Sequence, residues 1–180
     1  MDYLKINKTI LEEYPLDIPS SQIYTYLVNN NVAYFYSKHL ALSKTSTDNE
    51  IIKIGDKFKQ RYLKTLKLIL DLCKKEKIEY ALFKTYKYID EAVDGDIDLF
   101  VKQKDFKRLM GKLVQHGFTC IETEDSKGLC QREDFSNIEP RVSASFHGIE
   151  VLSETEIWKN TEEEEINNMK IPKVTKLLDI

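Results

Sequence analysis

Asp96 and Asp98 stand two positions apart in the stretch DGDIDLFV, residues 94–101. The alternation in DIDLFV reads as a β-strand, and alternate residues of a strand point to the same side. The two carboxylates therefore share one face, with Ile97 and Leu99 turned toward a core. A backbone that holds them about 6–7 Å apart makes them repel unless positive charge lies between them. Hard oxygen donors and a small gap suit Mg²⁺ or Mn²⁺, which take carboxylates together with substrate phosphate oxygens. Such an ion neutralises charge on a triphosphate and lowers the pKa of an attacking hydroxyl. The plain alternative is an acidic loop, with Asp94 only a turn residue beside Gly95.

These residues need elements to position them. IEYALFK, from Ile78, is an apolar run of strand length, and TYKYIDEAV has the pattern of a short helix. After DIDLFV, the segment KQKDFKRLMGKLVQHG predicts a helix with Phe106, Leu109, Met110 and Leu113 inward, stopped by Gly117. FTCIETE reads as a strand. A polar stretch with Gly128 follows, and IEPRVSASFHGIEVL reads as one or two strands around Gly148. SETEIWKN opens with a Ser followed three residues later by Glu156, a capping box into a short helix. The cluster EEEE at 162–165 reads as a solvated helix end, and NMKIPKV as a last short strand or turn. The succession of strands and helices implies an α/β (α+β) fold, a mixed sheet with packed helices.

The first 77 residues read as a helical N-terminal region, and residues 78–180 as the core. SSQIYTYLVNNNVAYFYSKHL starts with a Ser pair suited to capping. A longer helix is predicted from about Asn49 to Lys77. Ile51, Ile54, Phe58, Tyr62, Leu66, Ile69 and Cys73 form one apolar stripe along it. Its other faces carry Lys53, Lys57, Lys59, Arg61, Lys64, Lys67, Lys74 and Lys75, read as a solvated surface with phosphate-backbone binding as the alternative.

The chain has 180 residues and a net charge of −3, which gives no general bias toward nucleic acid or membrane. Cys73, Cys120 and Cys130 are an odd count without CxxC spacing and read as free thiols in a reducing compartment. No apolar stretch reaches membrane-spanning length, and MDYLKINKTILEEY lacks the order of a signal peptide. A soluble, cytoplasmic protein without membrane partners is expected. No GxxxxGKS or GxGxxG occurs, which argues against P-loop and dinucleotide sites.

The stretch ALFKTYKYIDEAVDGDIDLFVKQKDFKRLMGKLVQHGFT resembles the nucleotidyltransferase superfamily that includes DNA polymerase beta. It looks closest to prokaryotic nucleotidyltransferase-like proteins, some of which are antitoxin-type or toxin-type partners in two-gene modules. The resemblance covers roughly residues 78–160, GIEVLSETEIWKN included. It implies a nucleotidyltransferase-like mixed sheet and ties Asp96 and Asp98 to the metal-binding pair. Lys84 matches the lysine just after the first strand, where a point charge meets the triphosphate. Thr85 stands where the pattern has glycine, and its hydroxyl is a candidate phosphate ligand or cap. The third carboxylate, which completes the metal site and acts as base, is Glu139 or Glu150, with Glu139 preferred.

Other polar residues read as structural. His147 fits a hydrogen-bonded strand edge, and His39 and His116 fit helix ends. Arg141 reads as a partner of one of the many acids rather than a phosphate ligand. Trp158 reads as packing its helix onto the sheet, and Tyr24, Tyr26, Tyr34 and Tyr36 as helix core. Two functions are therefore expected. The first is metal-dependent transfer of a nucleoside monophosphate from an NTP to a hydroxyl on RNA, protein or a small molecule, with Mg²⁺ or Mn²⁺. The second is a catalytically degenerate, antitoxin-like fold that binds a protein partner.

Overall fold

In the computed structural model, residues 46–83, 96–123, 127–146, 149–166 and 169–174 are described. The predicted helices over 20–40 and 85–93 lie outside them, as do Lys84, Thr85, His39 and His147. The chain forms two compact units, Met1–Gln60 with Thr85–Asp94, and Arg61–Lys84 with Gly95–Ile180. The second holds every described strand, with Asp96, Asp98 and Glu139 among them.

The predicted long helix is α1, Ser46–Glu76. Its residues 61–76 belong to the second unit, where Tyr62, Leu66, Ile69, Leu72 and Cys73 are buried at helical spacing. The expected stripe does not hold along its whole length: Ile54 and Phe58, in the first unit, are 48% and 44% exposed. Thr65 is a polar member of the buried set. Its hydroxyl donates to the Arg61 carbonyl at 2.7 Å and accepts the Ser136 backbone N–H at 2.9 Å, so it ties α1 to the entry of a distant strand.

Among the described residues, nine strands follow or flank the remaining helices: β1 Tyr80–Phe83, β2 Asp96–Val101, β3 Thr119–Thr123, β4 Lys127–Gln131, β5 Asn137–Arg141, β6 Ala144–Phe146, β7 Ile149–Leu152, β8 Thr161–Ile166 and β9 Met169–Val174. Seven form one sheet in the order β3-β4-β5-β2-β1-β9-β8, and β6 pairs with β7 as a separate ribbon. The central pair β2 and β5 is parallel, as is β1 with β9; the other pairings are antiparallel. The mixed sheet with helices is the architecture the sequence implied. IEPRVSASFHGIEVL supplies three strands rather than one or two.

The helix after β2 is α2, Gln103–Gln115, with Phe106, Leu109 and Leu113 buried as expected. Gly117 ends it with a φ of +83°, a backbone region that favours glycine. Helix α2 lies against the β4 side of the sheet. A Cβ placed on Gly128 would stand 2.7 Å from the Cε and Sδ of Met110, so the missing side chain is the space Met110 fills. Cys130, two residues on, is fully buried with its Sγ 3.5 Å from the Met110 Sδ.

Register carries this apolar face across the sheet. Cys130 pairs with Ile138, Ile138 with Ile97, Pro140 with Leu99, and Leu99 with Leu82. All six are buried. The opposite face receives α3, Glu154–Lys159, begun by the predicted capping box. Ser153 N–H donates to the Glu156 carboxylate at 2.8 Å while its hydroxyl accepts the Glu156 N–H at 3.4 Å. Ile157 of α3 packs with Ala81, Phe100 and Val174, and Trp158 joins them, as its reading required. Phe83 and Phe100 stack tilted at 5.1 Å between centroids beside this cluster.

Two readings are corrected. Glu162–Glu165 are not a helix end; they form the middle of β8, an outer strand paired antiparallel to β9. Glutamate disfavours strands locally, but pairing with β9 decides, and a charged outer strand resists joining another sheet. Cys120 and Cys130 are not free thiols. They stand directly opposed on β3 and β4, 4.1 Å between Cα atoms, and are disulfide-bonded. Cys73 is the free cysteine; burial, with Asp105 nearby, pushes its thiol up to about 12 and leaves it inert.

No described helix is long and apolar enough to cross a membrane.

Candidate active site

The face of the sheet that α3 joins changes character toward its other end. Asp96, Asp98 and Phe100 alternate along β2, and Asn137, Glu139 and Arg141 alternate along β5. The parallel register pairs Asp96 with Asn137, Asp98 with Glu139, and Phe100 with Arg141, so all six point to one side. On β4, Lys127 pairs with Arg141 and points the same way. On β1, Phe83 pairs with Asp98, so that strand ends beside the acids; Lys84 and Thr85 come next in the chain. Asp96, Asp98 and Glu139 are therefore on one face. Glu150 lies on β7, whose partner is β6 rather than any strand of the large sheet.

Asp98 and Glu139 sit side by side on neighbouring strands. Like charges placed so repel, and the chain answers with its own cations. The Arg141 Nη2 donates to the Asp98 Oδ1 and, at 2.7 Å, to the Glu139 Oε2. The Lys127 ammonium reaches the same Glu139 oxygen at 2.7 Å. The site is enclosed: the side chains of Asp98, Arg141 and Glu139 keep 6%, 14% and 18% of their exposure. Burial pulls the Glu139 carboxyl up, but the hydrogen bond and charge of Lys127, with Arg141, outweigh it and hold it below the usual 4.5. The Arg141 Nε is buried and, among the described residues, has no hydrogen-bond partner.

Three carboxylates on one face are the right donor type for a hard divalent cation. Among the described residues, no three His, Cys, Asp or Glu side chains stand close enough together to hold one. The gap between Asp98 and Glu139 is bridged by a guanidinium instead. Residue type fits a metal, and the bridging arginine marks where positive charge is required.

Arg141 was read as an ion-pair partner of an acid, and it is one. Its partners, however, are two of the three candidate acids, Asp98 and Glu139. Lys127 drew no attention in the sequence. The signal available for Arg141 was its period-two spacing from Glu139, which keeps both on one face of β5.

Comparison with known proteins agrees with this architecture. No family model matches the sequence, and no curated protein sequence does. Among solved structures, the chain is similar to the lincosamide antibiotic adenylyltransferase LnuA with lincomycin bound, at 19% identity and a TM-score of 0.52 over 63% of this chain and 80% of that one. At that identity the likeness establishes the fold: this chain has a nucleotidyltransferase fold.

Proposed function

We propose that this protein transfers a nucleoside monophosphate from an NTP to a hydroxyl acceptor. The observation that carries the reading is the placement of Asp96, Asp98 and Glu139 on one face of a nucleotidyltransferase-fold sheet. A divalent cation, Mg²⁺ or Mn²⁺, would be held by these three carboxylates and would supply charge neutralisation at the polyphosphate. In the transfer, the acceptor oxygen bonds to the α-phosphorus and the bond from that phosphorus to the bridging oxygen breaks. Pyrophosphate leaves with the electron pair. The hydroxyl proton passes to a carboxylate, for which Glu139, held ionised, is the candidate. Lys84 and Thr85, which follow β1 in the chain, are proposed to meet the triphosphate. A small hydroxylated molecule is the favoured acceptor, because the similar solved structure is an enzyme that adenylylates a small antibiotic. RNA and protein are the other acceptors to try.

The test is incubation with labelled NTPs and Mg²⁺ or Mn²⁺ in the presence of small polyhydroxylated compounds, total RNA and mixed protein. Label is expected on one acceptor class, and Asp96→Ala and Asp98→Ala should abolish it. Incorporation that survives both substitutions unchanged rules out the mechanism.

A second reading draws on the arginine bridge. A guanidinium lodged between Asp98 and Glu139 also suits a fold whose acids no longer serve catalysis and which binds a protein partner in an antitoxin-like role. That reading predicts no label transfer and co-purification with one particular protein.

A further inference from the structure

Arg141 places a single nitrogen, Nη2, in contact with both Asp98 and Glu139. The acids are paired across parallel strands whose backbones lie about 4.8 Å apart. Their mutual repulsion requires a cation at that spot, and the chain supplies one from two positions further along β5. A divalent ion binding the same oxygens would stand at about 2.0–2.1 Å from them. The guanidinium and that ion would then lie a few ångströms apart in an enclosed, poorly hydrated place, where like charges repel strongly. Both cannot hold the acid pair together.

We infer that Arg141 is a displaceable counter-ion: it closes the acid pair until a divalent cation takes its place, and the released guanidinium then turns to the polyphosphate. This rests on the transfer reading above. Two features support the second half. Arginine's planar fork matches phosphate oxygens. Among the described residues, the buried Arg141 Nε–H has no hydrogen-bond acceptor, and such a donor gains from any acceptor brought to it. Lys127 stays with Glu139 in either state and keeps that carboxylate from being left uncompensated. The acid pair thus has two charge-balanced states, and exchange between them couples metal entry to phosphate capture.

The experiment measures binding of Mn²⁺ alone, by the free-ion magnetic resonance signal, to wild type, Arg141→Gln and Arg141→Lys. Arg141→Gln is expected to bind at least about tenfold more tightly than wild type, whereas Arg141→Lys, which keeps the charge, should stay within about threefold of it. Adding a non-hydrolysable NTP should tighten Mn²⁺ binding in wild type and do so far less in Arg141→Gln. Equal or weaker Mn²⁺ binding by Arg141→Gln overturns the inference, and so does absence of binding in every variant. The transfer reading then stands or falls separately on label incorporation. Should Arg141→Gln fail to fold by circular dichroism, wild type alone decides. The Arg141 side-chain N–H signals in a nitrogen-15 spectrum must shift when Mg²⁺ saturates the protein, and unchanged signals reject the exchange.

Discussion

Strands β2 and β5 present opposite chemistries on their two sides. One side carries Ile97, Leu99, Ile138 and Pro140, all buried. The other carries Asp96, Asp98, Glu139 and Arg141, the last three joined by ion pairs, with Phe100 at its α3 end. The two sides share a single register, because a slip of one residue would exchange them. The apolar side supplies the free energy that fixes this register, and the acids are placed as a consequence. Charge alone could not place them, since adjacent carboxylates repel. The difference teaches that the site is positioned by residues that never touch it.

That comparison can be broken hardest from the apolar side. Leu99→Ala empties a fully buried position between β1 and β5 and should cost about 2–5 kcal/mol in urea unfolding. Loss of less than about 1 kcal/mol would mean that this face does not hold the register. Next comes the disulfide. Reducing Cys120–Cys130 frees a short loop between opposed strands, and dithiothreitol should lower stability by about 2–3 kcal/mol without altering Asp98 or Glu139. A thiol count of three in the denatured, unreduced protein would show that the bond does not form.

Gly128 tests the contact with α2. Gly128→Val should cost about 1–3 kcal/mol by crowding Met110, and Gly128→Ala less, because the flexible thioether can yield. In a double-mutant cycle, Met110→Ala should recover part of the Gly128→Val loss; strict additivity would refute the contact. The smallest effect belongs to the polar side. The Glu139 carboxyl titrates lower in the folded chain than its ordinary 4.5, so its ionisation favours folding. The contribution is complete above about pH 4.5 and disappears as pH falls through the folded value. Glu139→Gln should therefore show a shallower fall in Tm than wild type as pH drops below about 4.5. Parallel curves would mean that Lys127 and Arg141 do not hold this carboxylate.

What could be read from the sequence was short in range. Helix α2 with its Gly117 stop, the Ser153–Glu156 cap and the shared face of Asp96 and Asp98 all follow from neighbours within a turn or a strand. The mixed sheet followed from the order of those segments. Glu139 was selected through a family resemblance, and it lies beside Asp98 because two strands far apart in the chain run parallel. Arg141 shows the limit: its acid partner could be guessed, but not that it would bridge two acids, one of them 43 residues away. The same limit hid the disulfide, which depends on the β3–β4 register, and the strand character of Glu162–Glu165, which depends on β9. The place of Gly128 was not legible either, because the Met110 side chain that fills its space comes from another element.

The Gly128–Met110 contact has an evolutionary side. A lineage that acquires a side chain at the first position must shrink the second in the same stretch of descent, or carry a crowded intermediate. The two positions should drift as a pair among descendants of this chain, small beside large in either order, even where the surrounding residues have been replaced wholesale.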